Sequence, residues 1–213
     1  MTLDDIYNLL TSGELRQHPL FANGLKDEDK EKVNQFITAG LTDLYTRFPL
    51  KTDRLVLVMD EIETVYPLVQ GSPHIDEGLI PYTGDLLKVL EVLDEGECTV
   101  PLNNGNEPCG VFTSSTNVLQ IPQPVDGDML YITYQANHKA IDTGIELPLN
   151  LVPALCAYVG YRLYSGDTNQ QSSVKANQLL SEYERQCMNQ ELFGLVNKDD
   201  VTTLTSFCTG GWV

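Results

Sequence analysis

The sequence predicts an α+β protein: a helical core built from the beginning and end of the chain, an inserted antiparallel β-sheet or small sandwich, and an extended C-terminal tail. Three observations lead there. Apolar residues recur at every third or fourth position across 27–48 and 170–192, which traces one stripe of a helix. Between 50 and 148 the period changes to two or to short apolar runs separated by turn sequences. At the end, two glycines precede the only tryptophan and the last residue, a pattern that cannot continue a helix. The expected organisation is 1–49 with 149–196 as the helical domain, 50–148 as the inserted β module, and 197–213 as the arm.

In order along the chain, Leu3, Ile6, Leu9 and Leu10 predict a short amphipathic helix from Leu3 to Leu10, ended by Gly13. A loop follows from Gln17 to Gly24. From Asp27 to Phe48, the apolar residues Val33, Phe36, Ile37, Leu41, Leu44, Tyr45 and Phe48 mark a helix of about five turns. Asp27, Glu28, Asp29 and Glu31 crowd its start, where the helix dipole favours acids, and Arg47 precedes Pro49 at its end. Strands are expected over Arg54–Met59, Thr64–Val69, Leu86–Leu93, Thr99–Leu102, Asn117–Ile121 and Met129–Gln135, and a loop over Gly71–Gly84. Pro148 and Pro153 suit the first turn of a helix running to Tyr164, stopped by Ser165-Gly166-Asp167. Its small residues Ala154, Ala157 and Gly160 allow a neighbour to approach closely. A last helix over Gln170–Leu192 places Ala176, Leu179, Leu180, Tyr183 and Cys187 on one face.

The chain has 213 residues, 42% of them hydrophobic, and a net charge of −17. That is enough to fill a core without metal or disulfide staples. Residues 51–148 hold sixteen acids and four bases, so most of the negative charge belongs to the β module. Such a field opposes nucleic-acid binding by phosphate neutralisation, which needs clustered Lys and Arg. The N-terminus opens with acids rather than the bases of a signal peptide, and no apolar run reaches membrane-spanning length. A soluble protein made in a cytoplasm is expected, with no membrane partner. Cys98, Cys109, Cys156, Cys187 and Cys208 form no CxxC pair and are expected to be reduced thiols, Cys156 and Cys187 as small core residues.

Chemistry-bearing motifs are sparse. His18, His74 and His138 stand isolated, each expected to be an exposed loop residue. Asp60-Glu61-x-Glu63 could hold a hard cation as nucleases do, or simply be a solvated strand end. The sequence has no Walker, GxGxxG or GxSxG motif. The reading is therefore non-enzymatic, with no catalytic residue, cofactor or metal. The unusual feature is Phe207-Cys208-Thr209-Gly210-Gly211-Trp212-Val213. Phe207, Trp212 and Val213 are the candidate interface residues, because large apolar anchors dominate interface energetics. Folding back on the chain's own domain is the alternative.

Several strings carry a resemblance: Tyr45-Thr46-Arg47-Phe48-Pro49-Leu50-Lys51, Val118-Leu119-Gln120-Ile121-Pro122, and Leu147-Pro148 with Leu155-x-Ala157-Tyr158-x-x-Tyr161-Arg162-Leu163-Tyr164. With the terminal Gly210-Gly211-Trp212-Val213, the chain from about 25 onward resembles the head-to-tail adaptor (connector) proteins of short-tailed, podovirus-like bacteriophages. The resemblance implies a structural role in the neck of a virion assembled in a bacterial host. It implies a twelve-copy ring under the portal protein, contacts with tail or nozzle proteins, and a channel through which genome DNA passes without specific binding. Rival readings are another virion assembly protein, a metal-dependent hydrolase around Asp60, and a β-sandwich binding module. The last would expose some of Tyr66, Tyr82, Phe112, Tyr131 and Tyr134.

Overall fold

A computed structural model of the chain describes residues 1–13, 15–21, 24–76, 78, 81–105, 110–167 and 169–192. Among the described residues, four helices and two antiparallel sheets make it α+β, as the change of period along the sequence predicts. The chain forms two compact units: Met1–Phe48 with the segment resuming at His138, and Pro49–Asn137 between them. The C-terminal arm and its residues Phe207, Trp212 and Val213 lie outside the described residues.

The helical unit begins with α1, Leu3–Ser12. The Thr2 hydroxyl accepts from the Asp5 amide while the Asp5 carboxylate accepts from the Thr2 amide, a capping box that satisfies two otherwise orphan donors. Helix α2, Asp27–Arg47, has the expected acids in its first turn and buries Val33, Ile37, Leu41, Leu44 and Tyr45. Helix α3, Val152–Ser165, follows a single 3-10 turn over Leu149–Leu151 and is apolar on most sides. Helix α4, Gln170–Leu192, buries Ala176, Leu179, Tyr183 and Cys187. Because Asn150, ahead of α3, donates to Gln190 near the end of α4, the two helices form an antiparallel hairpin.

Small residues set how closely the helices approach. A methyl group at Gly160 would lie 3.0 Å from a Leu179 methyl and 3.1 Å from one on Leu15. The sequence identifies Gly160 as part of a small-residue ridge. It does not single out Gly40 of α2, where a methyl would come within 2.8 Å of both Leu155 and Tyr158 of α3. Polar ties complete the unit. The Tyr183 hydroxyl donates to Asp43, Arg47 bridges Glu184 and Glu191, and the Met1 and Ile145 backbones pair.

In the β unit, strands β1 (Thr52–Val58), β2 (Val65–Pro67), β3 (Ile75–Asp76), β4 (Leu86–Leu93), β5 (Thr99–Val100), β6 (Phe112–Ser115), β7 (Val118–Gln120) and β8 (Met129–Ala136) form two sheets, ordered β3-β1-β8-β4-β5 and β2-β7-β6. Strand β1 buries Leu55 and Leu57, and β8 buries Leu130, Ile132 and Tyr134, the alternation of a sheet with one covered face. Strand β4 buries Leu86, Val89 and Val92, a spacing of three. Register shifts against β8 between Leu86 and Lys88 and between Val89 and Glu91 add a residue each time, so the inward face is recovered every third position. Side chains from both sheets meet in one buried cluster, including Leu57, Val92 and Ile132 from the larger sheet and Tyr66 and Leu119 from the smaller.

Two strands depart from expectation. Ile75–Asp76 pairs with β1 inside the expected loop over Gly71–Gly84, and Phe112–Ser115 pairs with β7 where no strand is expected. Both are short. The second is mostly small and polar, so neither carries a periodic signal of its own.

Candidate functional site

Three turns converge at one end of the larger sheet, and their side chains make the most distinctive surface of the β unit. Val58 at the end of β1 faces Met129 at the start of β8, and Leu93 at the end of β4 faces Tyr131. The turns after β1, after β4 and before β8 are thereby neighbours. Backbone bonds join them: the Met59 amide donates to Asp128 at 2.9 Å, and the Gly127 amide donates to Met59 at 3.0 Å. The Glu95 carboxylate accepts from the Met129 amide at 3.1 Å.

Together the turns carry Asp60, Glu61, Glu63, Asp94, Glu95, Glu97, Asp126 and Asp128, with no Lys or Arg among residues 59–63, 94–98 and 125–129. Three of these acids build the turns. The Asp60 carboxylate accepts from the Ile62 amide, and Asp94 accepts from the amides of Gly96 and Cys98 at 2.9 and 2.8 Å. Glu95 ties one turn to the next strand. Glu61, Glu97, Asp126 and Asp128 are exposed to solvent. Glu63 lies 3.0 Å from His74, whose ring meets Tyr66 edge-on and carries positive charge only when protonated. Ile62 is 84% exposed on the same surface.

The opposite end of the sheet handles charge differently. Lys51 and the Tyr134 hydroxyl both donate to Asp85, at 2.6 and 3.0 Å. Burial works to raise the Asp85 carboxyl, but these donors hold it below the usual carboxylate range. Burial, followed by the Asp85 charge, pushes the Tyr134 hydroxyl well above its usual value.

Other residues singled out by the sequence scatter. Among the described residues no three His, Cys, Asp or Glu side chains are placed to hold a metal ion. Tyr66, Tyr82 and Tyr134 are buried, and their hydroxyls are occupied by Asp60, Leu68 and Asp85. Phe112 and Tyr131 are half-buried, and the Arg54 guanidinium lies 5.1 Å from the centre of the Tyr131 ring. The described aromatics therefore do not line up as an exposed platform. Cys187 is buried, Cys156 half-buried and Cys98 exposed, while Cys109 and Cys208 lie outside the described residues. His138 meets Thr42 at 3.2 Å in the helical unit. His18, expected at the surface, is buried.

No described helix is long and apolar enough to cross a membrane. Convergence of the acids could not be read from the sequence, because it depends on which strands pair. Comparison with known protein families and with curated proteins finds no match to this chain.

Proposed function

We propose that this protein is a structural component of a virion: one copy of a twelve-copy ring in the neck of a short-tailed bacteriophage, made in the bacterial cytoplasm. The ring joins the capsid portal to tail or nozzle proteins and surrounds the path of the DNA. The observation that carries the reading is the acidic end of the β unit, where three adjoining turns present carboxylates with no Lys or Arg among them. Duplex DNA carries one negative charge per ~1.7 Å of axis, and an acidic lining repels it at distances within the ~8 Å Debye length of physiological salt. A passage that must not retain its cargo benefits from that repulsion. Ile62, exposed among the acids, offers an apolar contact to a neighbouring protein on the same surface.

A closed ring needs two different complementary faces on each subunit, and its many modest contacts add up to a strong joint. In this account the protein works by shape and interface area, with no turnover.

Reversing Glu61, Glu97 and Asp126 to Lys tests the charge argument. These side chains are exposed, and none supplies the turn hydrogen bonds made by Asp60, Asp94 and Glu95. The triple variant is expected to assemble normally, to slow genome ejection, and to retain DNA on isolated rings at low salt. Normal ejection with no retained DNA contradicts the proposal.

A further inference from the structure

The loop joining α1 to α2 buries a histidine for which the ring reading has no use. His18 is 4% exposed and sits between two other buried anchors, Leu15 and Phe21. A ladder of turns holds the three together, with the His18 amide donating to Leu15 and the Phe21 amide donating to His18, each at 2.9 Å. Leu15 reaches α3, lying 3.1 Å from where a methyl on Gly160 would stand. The imidazole meets the Tyr164 ring edge-on, with centroids 4.8 Å apart, and Phe21 at 6.3 Å.

The hydrogen bonds fix the protonation state of this seat. Nδ1 accepts from the Leu20 amide at 3.3 Å, so it carries no proton, and the proton of the neutral ring resides on Nε2. Nε2 is fully buried and has no hydrogen-bond partner among the described residues. A second proton would have to go to Nδ1, turning the acceptor into a donor that faces another donor. It would also place a full charge among aromatic edges with one N–H already unsatisfied. The surrounding groups are Tyr164 and Asp167 at the end of α3 and Lys32 on α2. Asp167 favours the charged ring and Lys32 opposes it.

We infer that residues Leu15–Phe21 form an acid-released clasp on α3, seated while His18 is neutral and let go when it is protonated. Burial holds the imidazole below its ordinary 6.5. For a histidine depressed in this way, the unfolded loop takes up the proton first. The clasp is therefore fully stable above 6.5 and weakens as pH falls below it.

The experiment is amide hydrogen exchange, corrected for intrinsic rates, between about pH 7.5 and 5, alongside NMR titration of the His18 ring in the intact protein. Protection of the Leu15–Phe21 amides should be lost progressively relative to amides of α3 and α4 as pH falls below 6.5. The ring should titrate below 6.5. His18→Asn keeps an acceptor near the Nδ1 position without titrating, so its loop protection should be flat with pH. His138→Asn, at the other described histidine of this unit, should behave like the wild type. A His18 ring titrating at or above 6.5, or a His18→Asn loop with the wild-type pH dependence, overturns the inference. Should His18→Asn fail to fold, the ring titration of the wild-type protein decides alone.

Discussion

Replacing Gly40 with alanine sets two effects of known size against each other. Mid-helix glycine is less favourable than alanine by about 1 kcal/mol, so on propensity alone the substitution stabilises α2. The added methyl, however, would lie 2.8 Å from both a Leu155 methyl and the Tyr158 ring, where ordinary contact begins at 3.4 Å. Leu155 is fully buried, so its methyl has little room to yield. Overpacking of this kind costs about 1–3 kcal/mol. The net expectation is destabilisation by up to about 2 kcal/mol, read as a lower urea midpoint in far-ultraviolet circular dichroism, which reports on the helices. A double-mutant cycle isolates the cause. Leu155→Ala opens space opposite Gly40, so the combined variant should be more stable than the sum of the single losses by about 1 kcal/mol. A raised midpoint for Gly40→Ala, or strict additivity with Leu155→Ala, refutes the argument that glycine is there for close approach.

Two further outcomes follow from charges. Arg47→Met removes the guanidinium that bridges Glu184 and Glu191 at 2.8 and 2.7 Å, and both partners are substantially exposed. The loss should be modest, about 1 kcal/mol, and should shrink when the comparison is repeated in 1 M salt, where the Debye length is about 3 Å. The Asp85 carboxyl is held below its ordinary 3.8 by Lys51 and Tyr134 against the effect of burial. Its stabilisation is complete above 3.8 and disappears as pH falls through the lower folded-state value. Asp85→Asn should remove that part of the acid-unfolding profile of the β unit, leaving a flatter stability curve below pH 3.8 than the wild type shows.

The legible parts of the fold are those whose signal is local. Acids at the start of α2, apolar spacing along α4, and Pro153 ahead of the small residues of α3 all reflect the helix itself. Strands β1 and β8 declare themselves by alternation. Strand β4 was legible as a strand but not in its facing, since two register shifts turn a period of two into three. Strands β3 and β6 are too short to have a period and exist because β1 and β7 pair with them. The region from His138 to Pro148 has neither period, and backbone pairing of Ile145 with Met1 and the bond from Tyr45 to Glu146 tie it to the helical unit. The same division applies to the sites. Acidic turns were visible one by one, but their convergence is a property of sheet order. His18 reads as a surface residue because its cover, Tyr164, lies far along the chain.

The most direct measurement is the mass of the purified protein, alone and mixed with portal rings, for the full chain and for a chain ending at Ser206. The account predicts that the full chain adds to the portal in a fixed multiple of subunits. It also predicts that loss of Phe207, Trp212 and Val213 weakens the addition. Failure of the intact chain to associate with the portal or any other virion protein contradicts it.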